Sequence, residues 1–351
     1  MDNLIPAYDV IKPFVSVEWY GLACANRCLH CYLHAGQRAS VSVSYDRAKA
    51  IAERFLAWAQ ATQDQRIRVG FCIGCSYETQ LPMLIDYVSF RRDNRMDGWD
   101  YLPMNGLRLR TQEELLHVLG SLQSAGLRMA NLTFYGARGS HDVFARRGGD
   151  FDYLLLIAQV IAELGLARSE TILLRKSTLP ELPELLRMLD AIPGLEQRAP
   201  SMCDYLGRAA DLEEERLELQ DLKSLPAALR DSINPDRYRT EVSWIQSIMA
   251  GDVPAKTRLL YVVAVRDDNV DYLEREDCEF ILRHLWQREQ ERRASAPSLI
   301  NLAREYGDPV SQRLFAFRDL ERKWLGTYYR RHKPDFLREW LDPSAPRIRL
   351  E

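Results

Sequence analysis

Three cysteines, Cys24, Cys28 and Cys31, fall within the eight residues CANRCLHC, with His30 and His34 beside them. The whole chain of 351 residues holds only seven cysteines, so their crowding onto one short stretch calls for a chemical reason. Thiolates are soft donors for zinc and for iron–sulfur clusters, and imidazole is a second common donor. The run FVSVEWYGL just before them is rich in β-branched and aromatic residues and reads as a strand. The cysteines therefore sit on the loop that leaves this strand.

The rest of the composition narrows the setting. With 46% hydrophobic and 28% charged residues and a net charge of −3, the chain reads as an ordinary soluble protein. This charge invites neither nucleic acid nor an anionic membrane as partner. The opening MDNLIPAYDVIKPF lacks the basic and apolar regions of a signal peptide, and no apolar run reaches the roughly 18 residues that span a bilayer. The cytoplasm is the expected location. Thiols stay reduced there, and an odd cysteine count argues against a fully paired disulfide framework. A tetrahedral zinc site made of Cys24, Cys28 and Cys31 with His30 or His34 satisfies the donor count, though structural zinc sites usually come as two spaced pairs. Alternatively, three thiolates can hold three irons of a four-iron cube and leave the fourth iron open to another ligand. Electron-transfer clusters normally use four cysteines, so three suggest reactivity.

Strand-like and helix-like segments alternate along the chain. Phe14 to Leu22 reads as the first strand, followed by a helix capped by Ser44 with Ala48, Ile51, Ala52 and Phe55 on its apolar face. RIRVGFCI, RMANLTFYG and ETILLRKST read as further strands, APSMCDYLG as a weaker one, and TRLLYVVAV as the most strand-like stretch of the second half. Thr111 and Glu114 form a capping-box pair at the start of a helix that Gly126 stops. Asp150 is expected to cap FDYLLLIAQVIAELG, and helices are expected near residues 216–230 and 237–250. RRDNRMDGWDYLPMNG reads as an insertion loop, and no strand is expected after about residue 275. Helices between successive strands imply a parallel sheet, and roughly six such units make an open, partial (β/α)6 barrel. The expected division is a barrel over residues 1–270 and a helical C-terminal extension over 271–351. Loops at the C-terminal ends of such strands are where parallel sheets and barrels place their sites.

At that address, CANRCLHC resembles the CxxxCxxC signature of the radical S-adenosylmethionine (SAM) enzymes. The resemblance implies an α/β fold of the radical SAM partial-barrel type and a [4Fe–4S] cluster on Cys24, Cys28 and Cys31, whose unique iron chelates SAM. It implies reductive cleavage of SAM to a 5′-deoxyadenosyl radical, abstraction of a hydrogen atom from a substrate, and a flavodoxin- or ferredoxin-like electron donor. His30 stands where the family usually has an aromatic ring near the adenine. GCSYET, residues 74–79, stands where the family often has a Gly-Gly-Glu-like turn, with Glu78 in the place of the carboxylate that receives the SAM amino group.

Other candidates come from strand positions. Asn131 and Thr133 share one face of their strand, and Arg175 and Ser177 one face of theirs. Arg175 is suited to a carboxylate, and Asn131 and Ser177 to ribose hydroxyls; a rim salt bridge and solvated polar residues are the plainer alternatives. Cys72 and Cys75 could join Cys203 and Cys278 in an auxiliary cluster. The simpler expectation packs Cys72 as a small apolar residue and leaves Cys75 at the cavity mouth, where it could donate a hydrogen atom or form a thiyl radical. His141, in YGARGSHDVFARRGG, is a candidate acid or base in a substrate pocket, against the alternative of a basic loop with a helix-capping Asp142. The lack of a cysteine-rich extension favours a small biosynthetic metabolite as substrate over a ribosomally made peptide. A non-catalytic zinc-binding protein is the alternative from another class.

Overall fold

The computed structural model describes residues 12–20, 24–31, 42–62, 67–73, 81–205, 207–254, 258–334 and 347–350. The first strand, β1 (Lys12–Trp19), alternates strictly. Val15, Val17 and Trp19 are buried toward helix α1 (Tyr45–Ala61), and Trp19 Nε1 donates to the Val43 carbonyl at 3.0 Å. Phe14, Ser16 and Glu18 turn to the opposite face, as the two-residue period of a strand requires. β2 (Arg68–Ile73) runs parallel to β1, with Val69, Phe71 and Ile73 in the same core. On the other flank β1 pairs in parallel with β8 (Arg258–Val265), and β8 pairs antiparallel with the last strand, β10 (Arg347–Leu350).

A second sheet orders β3 (Tyr101–Pro103), β4 (Met129–Phe134), β5 (Ala167–Leu173) and β6 (Leu195–Ser201), all parallel. Among the described residues no ladder joins β2 to β3, so the molecule is a mixed α/β fold of two mainly parallel four-stranded sheets. One helix layer spans both. Asp86 on α2 (Leu81–Asp93) accepts from Tyr45 Oη at 2.7 Å and Lys49 Nζ at 2.8 Å on α1. α2 packs on α3 (Gln112–Ala125), and after α4 (Arg138–Ala145) α3 packs on α5 (Asp150–Glu163). Both sheets therefore turn their other faces to a common concave side. α6 (Leu182–Asp190) follows β5, with Pro183 in its first turn.

The remainder departs from expectation in several places. RRDNRMDGWDYLPMNG holds the end of α2 and the short β3, because Arg91 donates to the carbonyls of Asp97 (3.1 Å) and Gly98 (2.5 Å) and folds the segment onto its own helix. The helix expected near 216–230 is replaced by a 3₁₀ turn at Leu219–Ser224 and a four-residue α7 (Ala227–Arg230), preceded by another 3₁₀ turn at Gly207–Glu215. Pro226, with ψ of 140°, interrupts the helical path there. β7 (Tyr238–Thr240) precedes α8 (Glu241–Met249). α9 (Val270–Arg275) and α10 (Cys278–Ala294) pack on α1, and α11 (Leu299–Tyr306) leads to β9 (Leu314–Ala316) and α12 (Phe317–His332). β9, paired with β7, and β10 are both strands beyond residue 275.

The cores do not divide at residue 270. α10 contributes Cys278, Ile281, Leu282 and Leu285 to the main core. α8 instead joins α11, β9 and α12 around Trp244, Phe315 and Trp324 in a smaller one. No helix among the described residues is long and apolar enough to cross a membrane.

Candidate functional site

The cysteine loop follows the C-terminal end of β1 and is held by its backbone. Ala25 N donates to Gly106 O at 3.0 Å, Arg27 N to Ala145 O at 3.0 Å and Leu29 N to Phe144 O at 2.9 Å. These bonds tie the loop to the second sheet's side of the molecule and to α4, a helix formed by the segment expected to be a basic loop. A polar network backs the loop from within. Asn26 Nδ2 donates to Asp150 Oδ2 at 2.9 Å, and Arg147 Nη1 donates to Asn26 Oδ1 at 3.0 Å and to Asp150 Oδ1 at 3.3 Å. His141 Nδ1 accepts from Tyr135 N at 3.1 Å, which leaves Nε2 as the protonated nitrogen facing Asp150 Oδ2 at 3.1 Å.

Asp150 and His141 are both 0% exposed. Asp150 thus does not cap α5; Asp142 does, accepting from Gly149 N at 2.7 Å and Phe151 N at 2.9 Å. His141, a candidate acid or base from sequence, has both ring nitrogens engaged behind the loop.

The thiols are close enough to feel one another. Burial pushes the Cys28 thiol up to about 12, opposed by its hydrogen bond with Tyr135 Oη at 3.7 Å and reinforced to a smaller extent by the neighbouring Cys24 and Cys31. Burial also raises the Cys24 thiol, reinforced by Cys31 and Asp150. Among the described residues no three His, Cys, Asp or Glu side chains converge on a point as a single tetrahedral ion needs. A cube instead takes each thiolate at a different iron, so its ligands stand apart, and three neighbouring thiols on one pinned loop fit that demand.

An aromatic stack lies beside them. His30 stacks on Phe144 with centroids 5.2 Å apart at 17° and lies 5.1 Å from the Tyr135 ring. The Arg175 guanidinium sits 4.2 Å over the same Phe144 ring. Burial lowers His30 to about 4, so it is neutral near pH 7, and its buried Nδ1 has no partner among the described residues. Arg175 is 8% exposed and lowered by burial; its Nη2 donates to Tyr135 O at 2.8 Å, and its Nε is buried without a partner among the described residues. Ser177 is exposed and donates to Glu215 at 2.6 Å.

Deeper in the concave side, Asn131 Nδ2 reaches Ser169 Oγ and Thr171 Oγ1, both at 3.2 Å. Gln197 Nε2 donates to Ser169 Oγ at 3.0 Å, and Asn105 is bonded to the backbone of Thr133. The inward face of the second sheet is thus a layer of neutral polar groups.

The structure brings Cys24, Cys28, Cys31, His30 and Arg175 together, with Asn131 deeper and Ser177 on the rim. Cys75 and Glu78 lie outside the described residues. The described members of the suggested auxiliary set are apart: Cys203 packs in the small cluster with Cys28, Cys278 in the helix layer, and Cys72 on β2. Cys72 is exposed rather than packed as an apolar residue, because position 72 faces the concave side. Sequence reasoning missed Asn26, Arg147 and Asp150 as a unit, since nothing in the sequence links residue 26 to residue 150. It also missed Glu18, whose signal was the S-x-E-x-Y alternation of β1.

No family model matches the chain, and no curated protein matches it. Among solved structures, it is similar to anSMEcpe with bound AdoMet and the Cp18Cys peptide, at 12% identity and TM-score 0.43 over 68% of this chain and 62% of that one. It is similar to SuiB of Streptococcus suis bound to the precursor peptide SuiA, at 11% identity and TM-score 0.43 over 77% and 54%. A third is coproporphyrinogen III oxidase (HemN) of Escherichia coli, described as a radical SAM enzyme, at 11% identity and TM-score 0.36 over 64% and 49%. The chain spans less than two thirds of each of these proteins.

Proposed function

We propose that this chain is a radical SAM enzyme acting on a small biosynthetic metabolite in the reducing cytoplasm, with a flavodoxin- or ferredoxin-like electron donor. The observation that carries the reading is the loop of Cys24, Cys28 and Cys31 at the C-terminal end of a parallel strand, pinned by three backbone hydrogen bonds and backed by the Asn26–Asp150–His141 network. Bound there, a [4Fe–4S] cluster and SAM supply one-electron cleavage of SAM to a 5′-deoxyadenosyl radical that takes a hydrogen atom from the substrate. The chain's own residues do the rest. The three thiols would hold the cluster, and the neutral His30 ring, braced on Phe144, would offer a flat face to an adenine. Arg175 and Asn131 are suited to the carboxylate and hydroxyls of SAM, Ser177 to a hydroxyl at the rim, and Glu78 to its amino group.

His141 is a positioning residue in this reading, orienting Asp150 behind the loop. Cys75 remains the candidate hydrogen-atom donor. The polar lining of the concave side supports a small polar substrate.

The test is anaerobic reconstitution with iron and sulfide. The expected result is a brown protein with about four irons per chain that forms 5′-deoxyadenosine from SAM under strong reductant. Alanine at Cys24, Cys28 or Cys31 should abolish both. A protein that takes up no iron, or a cysteine variant that keeps full cleavage, overturns the proposal.

A further inference from the structure

From Phe14 onward, β1 and the residue after it turn Phe14, Ser16, Glu18 and Tyr20 to the concave side. Gly70 on β2 has room only for hydrogen, because a Cβ there would lie 2.7 Å from the Phe14 ring; the ring closes this face below. Above it, Ser16 Oγ donates to Glu18 Oε1 at 3.2 Å and the Tyr20 hydroxyl donates to Oε2. Two neutral hydroxyls fix this carboxylate without neutralising it, and no cation among the described residues pairs with it. Cys72 is the register partner of Glu18, exposed on the same face. Between Phe14 and the cysteine loop, Glu18 is the one charged side chain on the inward faces of β1, β4, β5, β6 and β8.

A fixed, unpaired carboxylate in a partly desolvated concavity is best satisfied by a cation. We propose that Glu18 anchors a cationic nitrogen of the substrate, an ammonium or guanidinium, so that the substrate class is an amine-bearing small molecule. This rests on the enzymatic reading above for the reaction, but the charge selectivity of the lumen stands on its own and is tested on its own.

Cys72 serves as the reporter. The full chain is treated under argon with a cationic trimethylammonium-ethyl or an anionic sulfonatoethyl methanethiosulfonate, each rate being divided by its rate on free cysteine. Fragment-ion mass spectrometry separates Cys72 from Cys75. The expected result is a cation-over-anion ratio at Cys72 that E18Q lowers about tenfold. Should E18Q misfold, the wild-type ratio should collapse in about 1 M salt, where charges are screened within about 3 Å. An unmodified Cys72, a ratio unchanged in E18Q, or a wild-type ratio indifferent to salt overturns the proposal. The labelling needs neither iron nor turnover, so its failure leaves the enzymatic reading standing, and failed reconstitution leaves the labelling result standing.

Discussion

Asp150 carries more of the site than its place in the sequence suggests. Itself fully buried behind the cysteine loop, it accepts from Asn26, faces His141 and pairs with the partly buried Arg147. Removing one member of a buried charged network strands the others in a low dielectric. Asp150→Ala should therefore lower stability by about 3 kcal/mol, read as a shift in denaturant midpoint. It should also reduce iron uptake although it touches no thiol; an unshifted midpoint would remove the network from the account. At this scale the cysteines were legible because three identical rare side chains mark their own spacing. Asp150 was not: its position before FDYLLL matches a helix cap, and the folded chain gives that role to Asp142, eight residues upstream, which the sequence offered only as a cap within its own segment. Glu18 was hidden in the same way, inside a strand whose polar alternation reads as solvent-facing.

Among the elements, α8 and α12 depend on one carboxylate. Glu241, 0% exposed in the first turn of α8, accepts from Trp324 Nε1 at 3.0 Å, Lys323 Nζ at 2.9 Å and Asp308 N at 3.2 Å. Glu241→Ala should cost about 3 kcal/mol by leaving three donors without their acceptor, and Glu241→Gln less. Intrinsic fluorescence reports it, since Trp244 and Trp324 both belong to this core; emission and midpoint unchanged from wild type would refute it. The helices and parallel strands were readable where period and caps agreed, as in α3, whose Thr111–Glu114 capping box is present. Three-residue strands such as β7 and β9 carry too few residues for a period of two to show. The 3₁₀ turns before α8 keep a helical composition without a helix's hydrogen-bond register.

At the scale of the molecule, the chain's last strand returns to the first sheet. Ile348 is 5% exposed within the main core, and β10 covers the edge of β8. Ile348→Ala should cost about 3 kcal/mol and speed hydrogen exchange along β8, whereas native-like protection there would show β10 to be dispensable. The two sheets raise a further matter. They share the helix layer on one side but, among the described residues, no ladder between β2 and β3, while the cysteine loop is bonded across to Gly106, Phe144 and Ala145 on the other. The protein is built like a book, with its helices as the spine and that loop as the clasp. Slackening it would let the pages part at their free edge.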